Sequence, residues 1–240
     1  MSAKLYYNEI SKLIEKIEAT QYDTMLKVAN IFAKKVKEDK LIHFFGTGHS
    51  HMIGIEMFVR AGGLANVNAM LDETITTAAG AEKGSYMEKV DGLADIIYNQ
   101  YAIDKDDVMV IISNSGRNSV PVQMAMRAKK EGLTVIAITS YDHSKSCASR
   151  DKSDKKLFEL ADIVLDNCCP AGDALINFGE VKSGPGSTIA GCFIVDSILE
   201  ETLDILHKKN YPLPIFVSQN SDNFNNDHLY EKYRPRVKHM

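Results

Sequence analysis

The chain has 240 residues, 45% of them hydrophobic and 25% charged, with a formal net charge of −4. That is the composition of a globular protein with room for one good core. No basic segment is massed as a nucleic-acid partner would require. No apolar stretch approaches the roughly 20 residues that span a bilayer, and the first residues lack a secretory signal pattern, so a cytoplasmic protein is expected.

From Tyr6 to about Lys37, apolar residues at Ile10, Leu13, Ile14, Ile17, Met25, Val28, Ala29, Phe32 and Val36 follow one face of a long helix or helix pair. That stripe must be covered by the domain that follows or by a second subunit. Next, apolar runs alternate with helical patterns: Leu41–Phe45, a helix from Ser50, Ala65–Met70, a helix from Tyr86, Val108–Ile112, a helix from Val120, Thr134–Thr139 and Ile163–Leu165. Short β-branched runs separated by helices predict a parallel α/β sheet. Residues 144–156 are polar and are expected as a surface excursion between the fourth and fifth strands. The stretches 170–173 and 182–188 are rich in loop-forming residues, Thr188–His207 reads as a helix, and the last 30 residues, with Pro212 and Pro214, are expected to be irregular.

These elements predict a flavodoxin-like three-layer sandwich: a five-stranded parallel sheet in the order 2-1-3-4-5 behind an N-terminal helical segment. The expected division is a helical segment at 1–39 for packing or oligomerisation, the sheet domain at 40–208 and the tail at 209–240. In such a sheet every strand's carboxyl end lies on one edge, and ligands bind where the strand order reverses, between the first and third strands. Those two strands run into donor-rich loops. The first loop is Gly46-Thr47-Gly48-His49-Ser50, and the second is Ser113-Asn114-Ser115-Gly116-Arg117-Asn118-Ser119. Hydroxyls, amides, glycines and the free N–H groups of a following helix make a cradle for an anion, and a phosphate is its natural occupant. Tight turns and helix caps select the same residue types; two such loops on neighbouring strands favour a binding site.

The loops resemble those of the SIS (sugar isomerase) domain over about residues 40 to 205. Ser113–Asn118 is similar to that family's S-x-S-G-x-[ST] phosphate loop, with Asn118 in place of the usual hydroxyl. Gly46–Ser50 is similar to its G-x-G-x-S loop, and Ile138-Thr139-Ser140 follows the fourth strand as in the family. A single domain behind a helical segment looks like phosphoheptose isomerase. Ser115-Gly116-Arg117-Asn118 and Gly186-Ser187-Thr188-Ile189-Ala190-Gly191 are closer to the N-acetylmuramic acid 6-phosphate etherase pattern. The resemblance implies a phosphorylated sugar as ligand and a homodimer or homotetramer. Ser50, Ser113, Asn114, Ser115, Gly116, Asn118 and Ser119 are then expected to hold the phosphate. Gly46, Thr47, Gly48, Thr139, Ser140, Ser187 and Thr188 are expected around the rest of the ligand.

Such loops bind but do not move protons. Isomerisation through an enediol needs a base and an acid beside the sugar's first carbons, and ether cleavage also begins with a proton abstraction. Glu56 and Glu180 are the expected acid–base pair, with His49 positioning the substrate. Aligned on the loop glycines, Glu56 falls where phosphoheptose isomerases carry a histidine, and Val59 and Arg60 lie near the position of their glutamate. Asp72 and Glu73 read as the cap and first-turn acid of the next helix. A lyase of the etherase type and a non-catalytic sugar-phosphate sensor are the competing readings. Cys147, Cys168, Cys169 and Cys192 show no C-x-x-C spacing, and His49-x-His51 lacks a third ligand, so neither a metal nor a cofactor is expected.

Overall fold

The computed structural model describes residues 2–222 and 225–240. Its centre is a five-stranded sheet with every neighbouring pair parallel, in the order β2-β1-β3-β4-β5. The strands are β1 (Ile42–Gly46), β2 (Val67–Met70), β3 (Val108–Ile112), β4 (Thr134–Thr139) and β5 (Ile163–Asp166). β1 and β3 are buried at every position, as expected of strands covered on both faces.

Side-chain alternation along these strands builds two cores. Ile42, Phe44, Val110, Ile112, Ile136, Ile138 and Leu165 face one layer. It consists of α1 (Ser2–Lys37), α2 (His51–Met57) and α8 (Ser187–His207). Phe45, Met109, Ile111, Val135 and Ala137 face the other. There α4 (Leu93–Tyr98), α5 (Ser119–Lys130) and α7 (Leu157–Leu160) close the sandwich. The α1 stripe is covered within the chain: Leu13, Ile17, Met25, Val28, Phe32 and Val36 are buried in the core shared with α8. Between β2 and β3 the crossover carries α3 (Ala81–Met87) as well as α4.

Two segments differ from the sequence reading. Residues 174–185, where no strand was expected and whose last four positions fell in a loop-rich stretch, form an antiparallel hairpin of β6 (Ala174–Phe178) and β7 (Val181–Pro185). Its strands, the second of which contains glycine and proline, are mostly exposed, so they show no apolar alternation to read. The C-terminal segment is not an irregular tail. Ala65 N–H donates to Pro214 O and Phe216 N–H to Gly63 O, and α9 (Asp227–Tyr233) brings Leu229 and Tyr233 onto Leu41, Ala65 and Phe216 in a third core. These contacts join residues about 150 positions apart, beyond the reach of any local pattern. No helix among the described residues is long and apolar enough to cross a membrane.

Candidate functional site

Register brings the two loops together. Gly46 is paired with Ile112 across the β1–β3 ladder, so Thr47 and Ser113 leave neighbouring strands spaced about 4.8 Å apart. In the first loop the chain turns back on itself so tightly that a Cβ on Gly46 would lie 2.6 Å from the Ser50 carbonyl carbon. Gly48 takes a φ of +52°, and a single 3-10 turn at Gly48–Ser50 leads into α2.

The second loop is held from within and from outside. Ser113 Oγ accepts from Gly116 N–H at 3.1 Å, which Gly116 permits with a φ of +58°. The polar excursion then straps back over it. Leu157 N–H donates to Gly116 O and Arg150 N–H to Arg117 O, at 2.9 and 2.8 Å. Ser119 Oγ donates to Arg150 O, and Arg150 Nη1 donates to Asn118 Oδ1 at 3.1 Å. Asn118 therefore has its carbonyl oxygen engaged and its Nδ2 left as a donor. The Ser115 hydroxyl has no partner among the described residues, so it too is left for a ligand.

The other expected residues are distributed unevenly. Thr139 and Ser140 are fully buried. Thr139 Oγ1 donates to Asn114 O; Ser140 N–H donates to the same carbonyl, while its Oγ donates to Cys169 O. They form the loop's floor. Ser187 and Thr188 open α8, where Asp173 Oδ1 accepts from the N–H groups of Gly186 and Ser187 and Oδ2 accepts from Ser187 Oγ. His49 and Ser50 are on the accessible side of the first loop. Glu56 is ion-paired with Arg60 one turn along α2. Glu180 lies in the exposed turn between β6 and β7, five residues or roughly 16 Å of strand beyond Pro185. Asp72 caps a 3-10 turn at Glu73–Ile75 by accepting from Thr74 N–H.

Two side chains at this edge were not among the candidates read from sequence. Glu88, just past α3, accepts from Thr47 Oγ1 at 2.7 Å, and its carbonyl accepts from Val120 N–H at the start of α5. A carboxylate thus lies between the first loop and the helix that follows the second. His143 is in α6 (Tyr141–Lys145), with Nδ1 3.5 Å from Asn114 Nδ2. Burial pushes His143 below the ordinary histidine range; Asp173 acts against this shift and Arg117 with it. Glu88 sits 42 residues from Gly46 in a helical stretch with nothing to single it out, and His143 falls between the fourth strand and the segment read as polar surface, where no element was expected. Among the described residues no group of three or more His, Cys, Asp or Glu is placed to hold a metal ion.

A parallel sheet with two glycine-containing donor loops side by side at its switch point defines a ligand-binding α/β protein whose site is suited to an anion. The chain belongs to the SIS domain family, whose model matches residues 5–140. It is similar over nearly its whole length to UPF0309 proteins. The one from Thermoanaerobacter pseudethanolicus is 40% identical over 243 residues, covering 98% of each chain; the one from Halalkalibacterium halodurans is 39% identical, covering 95% of this chain and 96% of the relative. Among solved structures, phosphoheptose isomerase from Neisseria gonorrhoeae has the same fold, with a TM-score of 0.58 at 16% identity, covering 85% of this chain and 97% of that one. The Vibrio vulnificus NanR protein complexed with ManNAc-6P also shares it, with a TM-score of 0.55 at 14% identity, covering 99% of this chain and 70% of that one.

Proposed function

We propose that this protein binds a phosphorylated sugar across residues 46–50 and 113–119 and isomerises it by proton abstraction through an enediol. The observation that carries this reading is the β1–β3 register, which sets two donor loops side by side with the Ser115 hydroxyl and Asn118 Nδ2 unengaged. The phosphate would sit on the second loop and the N-terminal end of α5, where backbone N–H groups and the helix dipole favour a negative charge. The sugar would lie toward the first loop. That placement puts Glu88 beside the carbons from which a proton must leave, and makes it the preferred base over Glu56, whose carboxylate is already paired with Arg60. Membership of the SIS domain family and its fold likeness to a phosphoheptose isomerase support the choice of ligand. A homodimer or homotetramer is part of the same proposal.

The test is incubation of the purified protein in deuterated water with fructose 6-phosphate, glucose 6-phosphate, sedoheptulose 7-phosphate and N-acetylmannosamine 6-phosphate, followed by NMR. An isomerase exchanges a carbon-bound proton in at least one of them, and Glu88→Gln abolishes the exchange while retaining binding. Binding with no exchange in any of the four would replace the isomerase by a sensor. Release of lactate from N-acetylmuramic acid 6-phosphate would replace it by a lyase.

A further inference from the structure

The orientation of one imidazole at this edge can be read from a chain of amides anchored on the backbone. Cys169 N–H can only donate, and it donates to Asn167 Oδ1 at 3.1 Å. That fixes the Asn167 amide, whose Nδ2 donates to Asn114 Oδ1 at 2.9 Å. Asn114 is fixed in turn, and presents its Nδ2 to His143 Nδ1 at 3.5 Å. A ring nitrogen facing an amide N–H must be the acceptor, so the proton of a neutral ring resides on Nε2. No flip of either asparagine is consistent with the backbone donor at the start of the chain.

The backbone of His143 is equally constrained, because its N–H donates to Ser140 Oγ at 3.0 Å. His143 Nε2 has no partner among the described residues, and the side chain is only half-buried. Of the charged groups facing the ring, Arg117 on the phosphate loop opposes a second proton and Asp173 favours one. Arg117 also keeps its Nε buried without a partner among the described residues.

We infer that His143 serves this site as a neutral imidazole, donating its Nε2 proton to a carbonyl or hydroxyl oxygen on the sugar part of the bound sugar phosphate. The inference rests on the phosphosugar reading above. A neutral imidazole is the weaker acid, and it can polarise a carbonyl oxygen without surrendering a proton to it or being drawn into an ion pair with the phosphate. Asn114 then has a second role, because its amide holds the ring in register with the phosphate loop that its neighbours Ser113 and Ser115 shape.

The experiment uses the full-length, ¹⁵N-labelled protein and long-range ¹H–¹⁵N spectra of the histidine rings, with His143 assigned by loss of its signals in His143→Gln. At pH 7 the ring is expected as the Nε2–H tautomer. Asn114→Asp supplies an acceptor in place of the donor and should move the ring to the Nδ1–H or charged form. Binding of inorganic phosphate and of the four sugar phosphates is then measured by calorimetry. His143→Leu should weaken the sugar phosphates roughly tenfold through one lost hydrogen bond and leave inorganic phosphate unchanged. His143→Gln, whose side-chain amide supplies a donor close to Nε2, should recover most of that loss. A ring charged at pH 7, or a loss of inorganic phosphate binding in the leucine variant, would overturn the inference, as would sugar-phosphate affinity indifferent to both substitutions. Failure of the wild-type protein to bind phosphate or any of the sugars would overturn the phosphosugar reading itself, and this inference with it.

Discussion

Two glycines of the site separate backbone strain from packing. Gly48 and Gly116 have nearly the same φ, +52° and +58°. A Cβ built on Gly48 meets nothing within 4 Å, whereas one on Gly116 lies 3.2 Å from Leu157 Cβ, 3.3 Å from Thr139 Oγ1 and 3.4 Å from Ser144 Oγ. Gly48→Ala should therefore cost only the left-handed conformation, about 1–2 kcal/mol. Gly116→Ala should cost that and about 1–3 kcal/mol more, because Leu157 Cβ is close to rigid backbone and both hydroxyls line the floor of the loop. For a domain of this size each kcal/mol lowers the melting temperature by about 2–4 °C. Urea unfolding gives the stabilities, and calorimetric titration with inorganic phosphate shows whether the loop keeps its shape. Gly116→Ala should lose at least tenfold in phosphate affinity on this reasoning, since Ser113 Oγ, Leu157 N–H and Arg150 N–H all bind the loop through or beside residue 116. Equal stability losses in the two variants would refute the packing argument. Unchanged phosphate binding in Gly116→Ala would refute the claim that this loop is the anion site.

Ser115→Ala and Ser113→Ala should each weaken phosphosugar binding by about 1–2 kcal/mol, as charge-assisted hydrogen bonds do when removed, measured by calorimetry. Ser113→Ala should also cost stability, because Gly116 N–H loses its acceptor. Arg150→Ala frees Asn118 Oδ1 and should reduce phosphate affinity by about 1 kcal/mol, with a smaller salt dependence than the wild type. At the opposite edge of the sheet, Asp107 accepts from Leu41 N–H, Asp104 N–H and His43 Nε2. Burial alone would raise its carboxyl, but the hydrogen bond and charge of His43 and the two backbone donors outweigh burial and hold it below the ordinary value of 3.8. A depressed carboxylate stabilises the fold above its unfolded pKa, and that stability is lost as the pH falls through the lower folded value. Asp107→Asn should thus cost about 3 kcal/mol near neutral pH, and urea unfolding as a function of pH should show the difference from wild type shrinking below pH 3.8.

The sheet could be read from the chain because burial on both faces leaves a local mark. Val108–Ile112 and Thr134–Thr139 are uninterrupted apolar or β-branched runs whose ends agree with the strands themselves, and the first is followed by a helix of periodic pattern. Their order could be read as well, since right-handed crossovers leave few arrangements for such a series. The two loops were legible for a related reason: glycine, serine and asparagine at a strand's carboxyl end are selected by backbone demands that act within five or six residues. The β6–β7 hairpin left no such mark, because strands exposed on most of their surface need no alternation.

What the sequence could not decide is which groups face which across the fold. Thr139 and Ser140 have the composition of ligand contacts, yet both are buried under the loop with their hydroxyls spent on Asn114 and Cys169. Glu56 and Glu180 are carboxylates in plausible places, but an arginine one helical turn away takes the first, and the second stands in an exposed hairpin turn. Glu88 and His143 reach the site through the packing of α3 against the first loop and the short helix after β4, at separations of 41 and 29 residues from their partners. Local sequence determined the sheet and its phosphate-type loops, because backbone conformation and burial are set by near neighbours. The side chains proposed to act on the ligand were decided only by tertiary structure, since a side chain acquires its chemistry from the contacts that folding gives it.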